Sequence, residues 1–177
     1  MATRVNDELT LRPAERGDLG EVARLAGKLV RMHHAFDPQR FFLPDRVEEG
    51  YGWWFGRELD NEDVALWVAV RAGAIVGYAY GRLEERDWNQ LLDACGALHD
   101  IWVEEAERRH GVAAALVEAV IAALVAKGAP RVVLHTAAKN EAAQALFARL
   151  GFRPTMVEMT REAGDDRQRR GGGASTP

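Results

Sequence analysis

The sequence predicts an α/β fold in which helices cover a mixed β-sheet, and three observations carry that expectation. Short β-branched and aromatic runs alternate with stretches of helical periodicity. Two of those runs meet across the dipeptide Ala72-Gly73, and a run ending in Val103 leads straight into a long apolar-striped segment. With 177 residues the chain has room for one domain with a sizeable core, but not for two domains and a linker.

In chain order, residues 9–12 alternate as a brief strand before Pro13. Leu19, Val22, Ala23, Ala26, Leu29, Val30 and His33 then recur at helical spacing, with Asp18 placed to cap the helix. Residues 37–63 are irregular and aromatic-rich, interrupted by Pro38, Pro44, Gly50, Gly52 and Gly56, with a second helix over 48–59. Residues 65–71 and 74–83 read as a β-hairpin, and 98–103 as a further strand. Val112, Leu116, Val120 and Leu124 share one face of a helix over 111–127, which Gly128-Ala129-Pro130 ends. A strand at 131–136, a helix at 140–150 capped by Asn140 and a final strand at 152–160 complete a domain spanning 1–160. Residues 161–177 combine Gly171-Gly172-Gly173 with mixed charge and no apolar period, the pattern of a disordered tail.

The net charge is −4, and the tail holds four Arg against three acids, which leaves −5 for the rest. Scattered positive charge argues against nucleic acid and favours cationic partners. Cys95 is the only cysteine, so neither an intrachain disulfide nor a cysteine-based zinc cluster can form, and a reducing, cytoplasmic setting is expected. The polar N-terminus and the lack of a long apolar run predict neither a signal peptide nor a membrane span. No His/Cys/acid cluster suggests a metal.

The segment from Val103 to Ala114 carries the chemistry. A helix N-terminus presents unpaired backbone N–H groups and partial positive charge, so this strand-to-helix junction can hold a pyrophosphate. Gly111 lets the backbone approach phosphates closely, Ala113 keeps the next turn small, and Arg108 and Arg109 add charge at the rim.

Residues Arg108-Arg109-His110-Gly111-Val112-Ala113 follow the Gln/Arg-x-x-Gly-x-Gly/Ala pattern of the GNAT superfamily of acetyl-CoA-dependent N-acetyltransferases, which this sequence resembles. Asn140, Ala143 and Gly151-Phe152 match its second mark, and Leu11-Arg12-Pro13-Ala14 and Ile75-Val76-Gly77 agree with it, so the resemblance spans roughly residues 9 to 160. It implies a mostly antiparallel sheet with a splayed central strand pair. It also implies an acetyl-CoA-dependent N-acetyltransferase that acts on a primary amine, on a small cation or a peptide terminus, by direct attack. In similar proteins the pantetheine arm lies in the splay, so Ile101, Trp102 and Val103 would contact it. Arg108, Arg109, His110, Gly111, Val112, Ala113 and Ala114 would cradle the pyrophosphate, and Asn140 would bond the cofactor. Similar proteins are often dimers, which leaves a homodimer open.

Direct attack needs a group to accept the ammonium proton and a donor to the oxyanion, for which the backbone N–H of Val103 or a neighbour is placed. His99 stands where several similar enzymes carry a glutamate. His135 stands where the ribosomal-protein N-terminal acetyltransferases do. An imidazole titrates near 6.5, which suits either to the task. Asp100 is a third candidate, which strict alternation puts on the opposite face from His99. Phe147 occupies the cofactor-binding position where many members carry a tyrosine that protonates the leaving thiolate. It cannot donate a proton, which leaves the thiolate, from a thiol with a pKa of about 8.5, to be protonated by water, with Tyr78 or Tyr80 as alternative donors. That replacement keeps an alternative alive, a non-catalytic acyl-CoA-binding sensor or scaffold. Between the first strand and the hairpin, aromatic residues such as Tyr51, Trp54 and Phe55 stand among carboxylates, which suits a cationic acceptor. His33 continues the apolar face of the first helix and reads as a packed histidine.

Overall fold

Ala72 and Gly73 both take positive φ, 51° and 80°, the two-residue turn whose twist matches paired strands. They join β2 (Val64–Arg71) to β3 (Ala74–Glu84), and this hairpin is the centre of the sheet. β1 (Thr10–Pro13) lies antiparallel to β2, and β4 (Cys95–Val103) antiparallel to β3. β5 (Val132–Leu134) runs parallel to β4, so the order is β1-β2-β3-β4-β5. The computed structural model describes residues 8–163.

Helices sit on both faces. α3 (Val112–Ala126) covers one with Val112, Leu116, Val117, Val120 and Leu124, packed on Leu98, Val103 and Phe147. It lies so close that a Cβ on Gly81 would come within 2.8 Å of both the Ala97 carbonyl oxygen and Val120. α1 (Leu19–Phe36) and α2 (Val47–Glu58) cover the other, with Val22, Leu25, Leu29 and Phe55 against Tyr78, Tyr80 and Trp102. α4 (Glu141–Arg149) follows β5, and Asn140 caps it by accepting from the Ala143 N–H at 3.2 Å.

Three expectations change. Residues 152–160 form no strand: β5 stops at Leu134, no ladder partner lies beside them among the described residues, and Pro154 lacks a donor. The strand expected over 131–136 shrinks to Val132–Leu134 because its register with β4 ends at the Leu98–Leu134 pair. Asp18 does not cap α1 with its side chain. A 3₁₀ turn over Arg16–Asp18 runs directly into the helix, and the Asp18 carboxylate instead accepts from the Glu15 N–H and pairs with Arg12 at 2.6 Å. Of the predicted tail, residues from 164 on lie outside the described residues.

Candidate active site

The site grows from one irregularity in β4. Tyr80 pairs with Asp100 but Gly81 with Leu98, so His99 is an extra residue, a β-bulge. Strict alternation therefore fails here. Tyr78 and Tyr80 share one face of β3. Asp100 accepts a hydrogen bond from the Tyr78 hydroxyl at 3.1 Å, and the His99 ring stacks on Tyr80 with centroids 5.6 Å apart. Both His99 and Asp100 thus lie on the α1/α2 face, which corrects the expectation that they oppose each other.

The same point along β4 is where the sheet opens. Beyond the Leu98–Leu134 pair no ladder bonds join β4 to β5. The Glu104 N–H bonds to the Val76 carbonyl, so alternation along this antiparallel pair sends the N–H groups of Ile101 and Val103 away from β3, toward the opening. The Val103 carbonyl accepts from Arg108 Nε at 3.1 Å. Leu98, His99 and Ile101 line one side of the opening; Leu134, His135 and Thr136 line the other; Asn140, Ala143 and Phe147 come from α4 and Leu29, Met32 and His33 from α1. Both candidate histidines therefore meet in one cleft. Trp102 points to the α1/α2 core instead, with the Arg108 guanidinium 4.9 Å from its ring centroid, and its N–H and C=O face β3, so a pantetheine arm in the opening would meet Ile101 and Val103 rather than Trp102.

At one end of the opening the chain forms a candidate anion cradle. Arg109 and Gly111 take left-handed φ of 68° and 80°, and α3 begins at Val112 with no side-chain cap. The first intrahelical bond at this end is the one from the Ala115 N–H to the Gly111 carbonyl. The N–H groups of Val112, Ala113 and Ala114 consequently project from the helix end. A side chain at Gly111 would meet nothing within 4 Å, so glycine serves its positive φ. Two acids of this loop are tied away from it, while a third, Glu105, is exposed and lies 3.8 Å from Arg108. Glu104 pairs with Arg24 at 2.6 Å and Lys28 at 2.8 Å, and Glu107 with Arg71 at 2.9 Å. Burial opposes ionisation of Glu104, but the bonds from Lys28 and Arg24 outweigh it and hold the carboxyl at about 2. Arg109 and His110 stay exposed at the rim. An uncapped helix start, two left-handed residues and small side chains at Ala113 and Ala114 fit a pyrophosphate.

The polar groups of the α1/α2 face differ in what holds them. Burial raises Asp100 to about 6, against the Tyr78 hydrogen bond and the neighbouring His99, which lower it. Burial also pushes the phenols of Tyr51, Tyr78 and Tyr80 up, so they stay neutral; the Tyr80 hydroxyl donates a hydrogen bond to Glu58 Oε2 at 2.6 Å. His99 Nε2 lies 2.9 Å from Glu84. The His135 ring is exposed and makes no hydrogen bond among the described residues. His33 bonds the Leu29 carbonyl at 3.1 Å through Nδ1, and burial lowers its pKa, in keeping with a packed histidine. Phe147 is buried against Phe152 at 5.7 Å between centroids. Among the described residues no group of His, Cys, Asp and Glu is arranged to hold a metal.

Glu84 and Glu58 are the site residues that the sequence reading missed. Glu84 lies one residue beyond the strand expected over 74–83, yet it is the last residue of β3 and continues the Tyr78, Tyr80, Arg82 face. The one available signal for the bulge was the polar pair His99-Asp100 inside the apolar run from Ala97 to Val103, since a regular strand buried on both sides has no place for two consecutive polar residues.

Comparison with known proteins agrees with this geometry. The acetyltransferase (GNAT) family model matches residues 29–152. The tetramutant BH1408 protein from Bacillus halodurans is 22% identical, with a TM-score of 0.76, 86% of this chain and 99% of that one covered. A GCN5-related N-acetyltransferase from Ralstonia eutropha is 24% identical, with a TM-score of 0.69, 89% of this chain and 100% of that one covered. The aminoglycoside N-acetyltransferase AAC(6′)-Iy, in a complex with CoA, is 20% identical, with a TM-score of 0.70, 92% of this chain and 99% of that one covered. At these identities the likeness is one of fold. The comparison with curated proteins found no match. The family model spans well over half of the chain, the cradle and the strand opening lie inside that span, and the chain belongs to the acetyltransferase (GNAT) family.

Proposed function

We propose that the protein transfers the acetyl group of acetyl-CoA to a primary amine, carried by a small cation or a peptide N-terminus. The observation that carries this reading is the bulge, which sets His99 on the wall of the strand opening and Asp100 beside it, buried on the same face. Asp100, ionised above about 6 and surrounded by Tyr51 and Tyr78, attracts the acceptor ammonium. His99 takes the ammonium proton and frees the nitrogen lone pair for attack. The outward N–H groups of Ile101 and Val103 donate to the oxygen on which negative charge develops. Val112, Ala113 and Ala114 bind the pyrophosphate through backbone N–H, with Arg109 at the rim. Bound acetyl-CoA supplies an activated acyl carbon, which bonds to the amine nitrogen as its bond to sulfur breaks and the thiolate takes a proton from water. Water suffices because a thiol with a pKa of about 8.5 is a tolerable leaving group, so Phe147 is no bar.

The buried Phe147, with no hydroxyl to offer, favours a second reading, an acyl-CoA-binding module without turnover. Thiol release from acetyl-CoA, followed with polyamines, amino acids and peptides as acceptors, separates the two. Amine-dependent release is the expected result. Tight CoA binding measured by calorimetry, with no release on any acceptor, would establish the module instead.

A further inference from the structure

We infer that Glu84 is a positioning residue for proton transfer: it fixes the tautomer and plane of His99 so that Nδ1 is the atom that accepts the acceptor amine's proton. The inference deepens the proposed transferase reading and rests on it.

A carboxylate only accepts hydrogen bonds, so the 2.9 Å contact between Glu84 Oε1 and His99 Nε2 requires the proton on Nε2. The neutral ring then carries its lone pair on Nδ1, which makes no bond among the described residues. Stacking on Tyr80, with the rings inclined by 28°, fixes the plane. The Tyr80 hydroxyl is held by Glu58 of α2, and Arg82 reaches Glu58 and Glu84 at 3.4 Å each. Glu84 is therefore tied to its neighbours, and the chain Glu58–Arg82–Glu84–His99 connects the buried base of α2 to the cleft. When His99 takes the proton, Nδ1–H forms, both ring nitrogens become donors, and the Glu84 carboxylate faces the new imidazolium charge. A carboxylate behind a catalytic imidazole acts in the same way in hydrolytic triads. Here the side chains of His99 and Glu84 are 40% and 38% exposed, so water screens the pair and the effect is smaller than in a buried triad.

The test uses the full chain, labelled with ¹⁵N-histidine, in three forms: wild type, Glu84→Gln and Glu84→Asp. The wild-type His99 ring, neutral at alkaline pH, should show one tautomer with Nε2 protonated. In Glu84→Gln, whose amide can donate to Nε2, Nδ1–H should become populated, and kcat should fall roughly ten- to hundredfold with KM for acetyl-CoA unchanged. Glu84→Asp should regain most of both readouts. A wild-type ring protonated on Nδ1, or ring-nitrogen signals unmoved in Glu84→Gln, overturns the assignment, and so does a Glu84→Gln kcat within twofold of wild type. The expected tautomer change between wild type and Glu84→Gln, in a protein that releases no thiol from acetyl-CoA with any amine offered, would instead overturn the transferase reading alone, because the spectrum reports the Glu84–His99 bond without turnover.

Discussion

The two faces of the sheet are built from different chemistry. Against α3 the core is Ala, Val and Leu, with glycine at Gly81 where the helix presses on the strands. Against α1 and α2 it is aromatic and polar: Tyr78, Tyr80 and Trp102 are buried beside Glu58, Arg82 and Asp100. The α3 face gains dispersion and area burial and leaves no polar group to satisfy. The other face has to satisfy buried hydroxyls and carboxylates through one another, which is costly in stability and useful in chemistry. In the proposed reading, the α3 face holds the acetyl-CoA end of the molecule in place, and the α1/α2 face presents the groups that move protons.

Substitutions that act on one face alone break or sharpen this contrast. His99→Ala should lower kcat/KM for acetyl transfer by roughly 10²- to 10⁴-fold, the usual worth of a general base, whereas His135→Ala should stay within a few-fold. Steady-state thiol release measures both, and equal losses would erase the distinction between the two cleft walls. On the α3 face, Gly81→Val should cost about 1–3 kcal/mol of stability, read from denaturant midpoints, because its branches meet the Ala97 carbonyl and Val120.

Gly111→Glu tests the cradle. A carboxylate at the helix N-terminus, on a residue forced into left-handed φ, should weaken CoA binding by roughly tenfold in calorimetry; an unchanged affinity would remove the assignment.

Two pH effects of opposite sign are smaller. Asp100 binds its proton more tightly folded than unfolded, so stability falls as pH rises from about 4 to about 6 and is level above. Asp100→Asn should abolish that fall and gain on the order of 1–2 kcal/mol at pH 7.5 while losing activity, the exchange expected where a buried charge is kept for function. Glu104 behaves in the reverse way. Its contribution is complete above the unfolded value of about 4.5 and is lost as pH falls toward about 2, so Glu104→Gln should flatten the acid limb of the stability curve.

Much of the fold was legible in the sequence because each signal was local. The Ala72-Gly73 turn, the apolar stripe from Val112 to Leu124 and the Asn140 cap all depend on residues within a turn or two of each other. The strand-to-helix junction was legible for the same reason, since Arg108 to Ala114 is contiguous. The bulge at His99 was not. It follows from the registers of Asp100 with Tyr80 and of Leu98 with Gly81, which involve a strand some twenty residues away. Strict alternation consequently put Asp100 on the wrong side. The missing strand at 152–160 failed in the same way: Met156, Val157 and Met159 carry a strand pattern and are exposed, but pairing needs a neighbour that the local sequence cannot report.

The most direct measurement is a crystal structure of the protein with CoA and an amine acceptor found by the thiol-release screen. With the pyrophosphate on the α3 N-terminus, the reacting nitrogen should lie on the α1/α2 side of the opening, within about 3 Å of His99 Nδ1 or of the Asp100 carboxylate. A nitrogen held against His135 alone, with His99 and Asp100 out of reach, would contradict the account.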